Sequence, residues 1–182
     1  LLGTDLEGKT LGIVGMGRIG REVARRAQTM WKMKVVYHSR SESTTTHDSR
    51  LTAERVGLDE LMGMADVVSL HVPATPETRH LIDARRLGLM KPSTFLVNTA
   101  RGDVVDEQAL VAALEAGRIA GAGLDVYERE PTVSSALLRM ENVVLLPHLG
   151  SATRETRVVM GMRALENLEL FFGGRSVRDP VG

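Results

Sequence analysis

The sequence has 182 residues, with 23 Lys and Arg against 23 Asp and Glu, 43% hydrophobic residues and no cysteine. This length and composition predict one soluble domain with a single sizeable core, and the zero net charge argues against nucleic acid or a membrane surface as a partner. The lack of cysteine excludes disulfides, thiol nucleophiles and thiolate metal sites, and it fits the reducing cytoplasm in which we expect the protein to act. No apolar run is long enough to span a bilayer.

Short apolar runs alternate along the chain with segments of helical period. This alternation predicts an α/β fold of the Rossmann type, a doubly wound parallel sheet with helices on both faces. The runs are nearly continuous in apolar residues, as expected for strands covered on both faces. The predicted strands cover residues 10–14, 34–37, 67–72, 94–98, 120–124 and 143–146.

Three helices are predicted, over residues 19–30, 106–116 and 154–172. The residues that share the apolar face of the first are Ile19, Val23, Ala27 and Met30. The second opens with an acidic cap at Asp106 and closes at Gly117. The third is amphipathic and ends at Gly173-Gly174, which leaves residues 175–182 as a tail. The polar stretch 39–48 is predicted to be an exposed loop.

A glycine-rich motif, Gly15-Met16-Gly17-Arg18-Ile19-Gly20, joins the first strand to the first helix. A GxGxxG motif alone also fits a purely structural turn, but its position between a strand and a helix is that of a dinucleotide-binding motif. Here Gly15 permits the tight turn, Gly17 lets the backbone approach a pyrophosphate, and Gly20 lets helix and strand pack closely. The helix N-terminus offers N–H groups and a partial positive charge to that pyrophosphate. We therefore predict a dinucleotide site.

The choice between NAD and NADP depends on the residues that follow the second strand. Proteins that bind NAD usually place a carboxylate there, about 20 residues after the glycines, to hold the ribose 2′-hydroxyl. In this sequence no carboxylate lies between the second predicted strand and Glu42. Instead Arg40 can pair with a 2′-phosphate, and Ser39 and Ser41 can donate hydroxyl hydrogen bonds. We expect NADP in preference to NAD; the alternative is that Arg40 is an ordinary solvated charge.

Three polar clusters follow apolar runs in the second half of the chain, within VNTARGDVVDEQ, GAGLDVYEREP and VVLLPHLGSAT. Each cluster falls at the carboxyl end of a predicted parallel strand, where open α/β sheets bind their ligands. They extend the predicted site beyond the glycine turn.

Taken together, GKTLGIVGMGRIGR, VNTARGDVVDEQALVAAL, LDVYEREP and PHLGSATRETR resemble the D-2-hydroxyacid dehydrogenase family over essentially the whole chain. Within it, YHSRS and PHLGSATRETR are most similar to the glyoxylate and hydroxypyruvate reductases. The resemblance implies hydride transfer between NAD(P)H and a small 2-keto or 2-hydroxy acid such as glyoxylate or hydroxypyruvate. It does not define which acid.

The resemblance also implies three catalytic residues. Arg101 would hold the substrate carboxylate and keto oxygen, His148 would be the general acid or base, and Glu130 would pair with His148. Physical chemistry supports these roles, because negative charge on a keto oxygen requires a fixed cation and a proton donor. An adjacent carboxylate favours the imidazolium near neutrality. Formate dehydrogenases, which are relatives, have Gln where this chain has Glu130.

Further residues are expected to line the cofactor cleft, among them Asp125 near the nicotinamide, Thr99, and the turn at Val72 and Pro73. The full set of expected cofactor-binding residues is Gly15, Gly17, Arg18, Ile19, Gly20, His38, Ser39, Arg40, Ser41, Val72, Pro73, Thr78, Thr99, Ala100, Arg101, Asp125, His148 and Gly150. No metal site is expected, since His38, His47, His71 and His80 lack ligand spacing.

The resemblance implies two further features of the protein. A substrate-binding domain is expected before residue 1, and a homodimer is expected through the nucleotide-binding domain. Corepressors related to this family keep the same domain and act through partners, so a dinucleotide-sensing interaction protein is the alternative function. A bare NAD(P)-binding module is a third possibility, disfavoured because it would leave the catalytic residues without a substrate.

Overall fold

The computed structural model describes residues 3–40 and 51–180. Over these ranges the chain forms a seven-stranded sheet in the order β3-β2-β1-β4-β5-β6-β7, with every neighbouring pair parallel. The strands are Thr10–Val14 (β1), Lys34–His38 (β2), Ala53–Arg55 (β3), Val67–Leu70 (β4), Phe95–Asn98 (β5), Gly121–Leu124 (β6) and Val143–Leu145 (β7). The predicted parallel α/β fold is confirmed.

The helices within residues 18–115 pack on both faces of the sheet. The α-helices are Arg18–Trp31 (α1), Leu58–Met64 (α2), Ala84–Leu87 (α3), Glu107–Glu115 (α4) and Arg154–Phe172 (α5), with 3-10 turns at Gly102–Val104 and Leu137–Arg139. The Asp106 side chain caps α4 by accepting from the Ala109 N–H at 3.0 Å, as its position in the sequence predicts. No helix in the described part of the chain is both long and apolar enough to cross a membrane.

The chain forms two compact units, Leu1–Pro147 and His148–Gly182. The first contains the whole sheet and helices α1 to α4. The second contains α5, which spans the predicted residues and is capped at Thr153, whose hydroxyl accepts from the Thr156 N–H at 3.1 Å. None of the α5 residues is buried. The apolar residues of α5 are spread around the helix rather than gathered on one face, so the predicted amphipathic pattern is wrong.

The first unit has two hydrophobic clusters rather than the single core predicted from length. Residues of a strand point alternately to the two faces of a sheet, so Val14 and Val36 contribute to one cluster and Ile13 and Tyr37 to the other. The larger cluster packs under α2, α3 and α4, and the smaller packs under α1. The sheet separates the two.

The predicted buried face of α1 is partly wrong. Ile19 and Met30 are 69% and 66% exposed, whereas Gly20, Ala24 and Ala27 are buried. The helix faces the sheet through small residues, which allow it to lie close to the strands. Apolar size alone therefore misplaced the buried stripe.

The structure corrects the end of one predicted strand and adds short elements that the sequence did not predict. The strand predicted to run through residue 72 ends at Leu70, and the other predicted strands differ by one residue at an end or not at all. The short elements β3, α2 and α3 were not predicted. Ser41 and most of the predicted loop 39–48 lie outside the described residues.

Candidate functional site

The glycine turn after β1 is held tightly against the neighbouring strands. Gly15 has a φ of 99°, a left-handed conformation that glycine adopts without strain. A Cβ atom added to Gly15 would lie 2.6 Å from the carbonyl oxygen of His71. The Gly15 N–H donates to the His38 carbonyl at 2.9 Å, and the His71 N–H donates to the Val14 carbonyl at 2.7 Å. Strands β1, β2 and β4 thus meet at this turn.

The other two glycines of the motif are in contrasting surroundings. A Cβ atom on Gly20 would collide with the Gly15 carbonyl oxygen, so this glycine permits contact between α1 and the turn. A Cβ atom on Gly17 would meet nothing within 4 Å. Among the described residues no side chain caps the N-terminus of α1, and its first turn has no acidic residue. An open cradle below an uncapped helix N-terminus fits a pyrophosphate.

The loop after β4 lies beside the glycine turn, at the point where the strand order reverses. Ligands of open α/β sheets bind at this position. Val72 packs against the larger hydrophobic cluster. Thr78 is buried, and its hydroxyl donates to the Pro73 carbonyl at 2.6 Å and accepts from the Thr75 N–H at 2.8 Å. Thr78 therefore shapes this loop from within.

His71 supports the same loop. Its Nε2 lies 2.9 Å from the Ser69 hydroxyl, and burial lowers the pKa of the imidazole to about 4. The ring is neutral at physiological pH, so it contributes no cation to the site.

The end of β2 carries the residues expected to discriminate between cofactors. His38 is half-buried, with Nδ1 3.2 Å from the Val56 carbonyl. Arg40 is exposed, and the guanidinium of Arg55 in β3 donates to the Ser39 carbonyl at 3.0 Å. Arg55 was missed from the sequence because β3 was not predicted.

A carboxylate from another loop also lies near Arg40. The Thr75 side chain, the Glu77 backbone N–H and, to a smaller extent, the positive charge of Arg40 lower the pKa of Glu77. The sequence around β2 gives no sign of this acidic neighbour, which follows β4.

The loop after β5 positions Arg101 through a buried amide. Asn98 is fully buried, and its side chain donates to the Arg101 carbonyl at 2.9 Å and accepts from the Ala100 N–H at 3.1 Å. Ala100 is buried, Thr99 is exposed, and the Arg101 guanidinium reaches back to the Ala100 carbonyl at 2.6 Å. The arginine is therefore exposed on a fixed backbone.

The loop after β6 packs directly on the Arg101 loop. A Cβ atom added to Gly102 would overlap the backbone of Tyr127, so only glycine allows this contact. Glu130 folds back within its own loop, where Oε1 accepts the Tyr127 N–H at 3.1 Å. Asp125 is buried at the end of β6, and its N–H donates to the Asn98 carbonyl at 3.0 Å. Arg101 and Glu130 thus belong to two loops in contact.

A further polar cluster fixes these loops and was not predicted. His80 Nε2 lies 3.0 Å from Glu128 Oε1, and the Glu128 N–H donates to Glu107 Oε2 at 3.2 Å. These residues line a cavity of about 430 Å³ together with Asp106 and Thr132. The cluster joins the loops after β4 and β6 to the start of α4.

His148 and Gly150 are in the second compact unit. Both are exposed, and His148 has a φ of 57°. A positive φ is uncommon for a residue other than glycine.

The strand order, the glycine turn and the polar groups at the carboxyl edge define the first unit as a dinucleotide-binding domain of the Rossmann type. Residues 1–150 match the family described as D-isomer specific 2-hydroxyacid dehydrogenase, NAD binding domain. The chain belongs to this family.

The comparisons also identify individual relatives. The chain is 49% identical over 173 residues to glyoxylate reductase of Thermococcus litoralis, covering 95% of this chain and 52% of that protein. It is 51% identical over 167 residues to glyoxylate/hydroxypyruvate reductase B of Salmonella newport, covering 91% of this chain and 51% of that protein. The chain therefore spans about half the length of these curated relatives.

A solved structure resembles both sequence and fold. The NADPH-dependent glyoxylate/hydroxypyruvate reductase from Sinorhizobium meliloti, in complex with NADP and malonate, superposes with a TM-score of 0.90 at 39% identity. The match covers 96% of this chain and 53% of that one.

Proposed function

We propose that this chain is the cofactor-binding part of an enzyme that uses NAD(P)H to reduce a small 2-keto acid such as glyoxylate or hydroxypyruvate. The observation that carries this proposal is the contact between the Arg101 loop and the Glu130 loop at the carboxyl edge that also holds the glycine turn. A cation and a carboxylate with this placement suit acid–base chemistry beside a dinucleotide.

For the cofactor we propose NADPH in preference to NADH. The pyrophosphate would lie over Gly17 and the N-terminus of α1 at Arg18 and Ile19, and Arg40 would pair with the 2′-phosphate. The open Cβ position of Gly17 and the exposed guanidinium of Arg40 support this arrangement. The related enzyme from Sinorhizobium meliloti is described as NADPH-dependent.

For the chemical step we propose the roles that the family resemblance implies. When bound, the nicotinamide supplies the hydride. Arg101 binds the substrate carboxylate and stabilises the negative charge that develops on the keto oxygen. His148 donates a proton to that oxygen, and Glu130 holds the imidazolium. The Tyr127 N–H orients the Glu130 carboxylate through its 3.1 Å hydrogen bond.

A substrate and cofactor screen tests the proposal. The native protein would be assayed with glyoxylate and hydroxypyruvate, each with NADPH and with NADH, by loss of nicotinamide absorbance. At low cofactor concentration, we expect faster turnover with NADPH than with NADH. Arg101→Ala should lower kcat/KM by about two orders of magnitude or more, since it removes a charged contact to the reacting oxygen. Absence of turnover with either acid, or an unaffected Arg101→Ala variant, would refute the proposal.

We also propose that the protein forms a homodimer. The apolar side chains exposed on α5, such as Val159, Met162 and Phe171, offer a surface that a second copy would cover. Light scattering of the purified chain should give twice the monomer mass. A monomer at concentrations of about 100 μM would contradict the dimer, because stable dimers dissociate only well below this range.

A further inference from the structure

We propose that Arg55 is a specificity-determining residue that positions Arg40 for the 2′-phosphate of NADPH. This inference rests on the proposed cofactor choice and assigns a role to a residue outside the glycine motif and outside the segment that follows β2. Arg55 acts through the backbone of Ser39 and Arg40, so it is a positioning residue.

The register of the sheet places Arg55 beside the end of β2. Arg55 is paired with Tyr37 across β2 and β3, and Arg55 is the last residue of β3. The Arg55 guanidinium donates from Nη2 to the Ser39 carbonyl at 3.0 Å and lies 3.5 Å from the Arg40 carbonyl. One planar group thereby contacts the two peptide units that carry the expected phosphate-binding side chains.

Neighbouring hydrogen bonds hold the same edge. The Val56 N–H donates to the Tyr37 carbonyl at 2.9 Å, and the Val56 carbonyl lies 3.2 Å from His38 Nδ1. Val56, the residue after β3, therefore continues the contact with the last two residues of β2. Arg55 extends it to the peptide of Arg40.

Fixing this backbone matters because Arg40 is exposed and has a long side chain. A flexible side chain loses conformational freedom when it binds a ligand, and a fixed backbone lowers that loss. This effect favours a cofactor with the 2′-phosphate and does not involve the nicotinamide.

The test measures binding of NADPH, NADH, 2′,5′-ADP and 5′-AMP to this chain by calorimetry. Arg55→Ala should weaken NADPH and 2′,5′-ADP about three- to tenfold, the usual range for loss of one exposed charge-assisted hydrogen bond. The affinities for NADH and 5′-AMP should change less than twofold. A purely structural role would weaken all four ligands alike, and that result would overturn the inference.

A double variant tests whether Arg55 acts through Arg40. In the Arg40→Ala background, Arg55→Ala should have little further effect on NADPH, because the side chain that it positions is gone. A further three- to tenfold loss in that background would overturn the positioning role in favour of direct phosphate contact.

The chain offers a matched control in Arg118, whose guanidinium donates to the Gly88 carbonyl just before β6, at the opposite edge of the sheet. Arg118→Ala removes the same kind of bond and should leave all four affinities unchanged. A wild-type chain that binds 2′,5′-ADP no better than 5′-AMP would refute the cofactor choice and with it the role of Arg55. A preference for 2′,5′-ADP over 5′-AMP that is undiminished in Arg55→Ala would refute the role of Arg55 alone.

Discussion

The glycines of the turn after β1 are needed for different reasons. Alanine substitutions at Gly17 and Gly20 should separate an effect on cofactor binding from an effect on stability. Gly17→Ala places a methyl group in open space, so the free energy of unfolding should fall by less than about 1 kcal/mol. The same methyl group occupies the cradle proposed for the pyrophosphate, so NADPH affinity should fall at least about tenfold. Chemical denaturation and calorimetry measure the two effects.

Gly20→Ala is the counterpart to that substitution. Its methyl group would collide with the Gly15 carbonyl oxygen, and such overpacking costs about 1–3 kcal/mol of stability. If Gly17→Ala binds NADPH normally, the pyrophosphate does not lie over this residue.

His71 should make the stability of the domain depend on pH. Burial lowers the pKa of the folded-state imidazole from 6.5 to about 4, so between these values the unfolded chain binds more protons than the folded chain. Stability should therefore fall as pH decreases from 6.5, by about 2 kcal/mol at pH 5. Urea unfolding at pH 7 and pH 5 measures this loss.

Replacing the His71 side chain tests whether its imidazole causes the pH dependence of stability. His71→Gln should remove most of the pH-dependent loss, whereas His148→Gln, at an exposed position, should keep it. An unchanged loss in His71→Gln would assign the dependence to other groups.

Individual site residues were predictable where a local motif defines them. Gly15, Gly17 and Gly20 have the surroundings that the motif predicts. The contact of Arg55 with Ser39, the effect of the Arg40 charge on the pKa of Glu77, and the contact of His80 with Glu128 were not predictable. These pairs are separated by 16 to 48 residues or lie on different loops, and only the strand register brings them together.

At the scale of elements, α1 shows why a hydrophobic pattern can predict a helix and yet misplace its buried face. The position and length of the helix followed from the pattern, but Gly20, Ala24 and Ala27 face the sheet. Small residues permit close approach of the helix to the strands, and size-weighted patterns favour larger side chains such as Ile19 and Met30. The short elements β3 and α2 escaped prediction because three to seven residues give little periodicity.

Because Met30 is exposed and Ala27 is buried, substitutions at these two positions of α1 should affect stability differently. Met30→Lys should change the free energy of unfolding by less than about 0.5 kcal/mol, because the side chain is exposed. Ala27→Leu should destabilise the fold by about 1–3 kcal/mol, because Ala27 is fully buried against the sheet. Urea unfolding midpoints compare the two variants with the wild type. If Met30→Lys were destabilising, that result would support the buried face predicted from the sequence instead.

At the scale of the whole molecule, the residues proposed for catalysis belong to different compact units. Arg101 and Glu130 are in the unit that contains the sheet, and His148 is in the unit that contains α5. The sequence motifs predicted all three residues through the family resemblance. Their joint action stays a prediction, and a kinetic experiment on the native protein tests it.

The proposed pairing of Glu130 with His148 predicts a shift in the pH profile of keto-acid reduction. The proton donor must be an imidazolium, so activity is lost as pH rises and the imidazolium loses its proton. Glu130→Gln removes the negative charge that stabilises the imidazolium but keeps an oxygen able to accept the Tyr127 N–H. The basic limb of kcat/KM should therefore move to lower pH by about one unit, as expected for loss of one ion pair.

Two comparisons separate this effect from simple damage to the loop. Glu128→Gln changes the neighbouring carboxylate that contacts His80 and should leave the position of the basic limb unchanged. His148→Ala should lower reduction by about two to four orders of magnitude and change NADPH affinity far less, since the proton donor is lost and the glycine turn that would hold the pyrophosphate is intact. A basic limb that stays in place in Glu130→Gln would mean that this carboxylate does not control the proton donor. Near-normal turnover by His148→Ala would place the donor elsewhere.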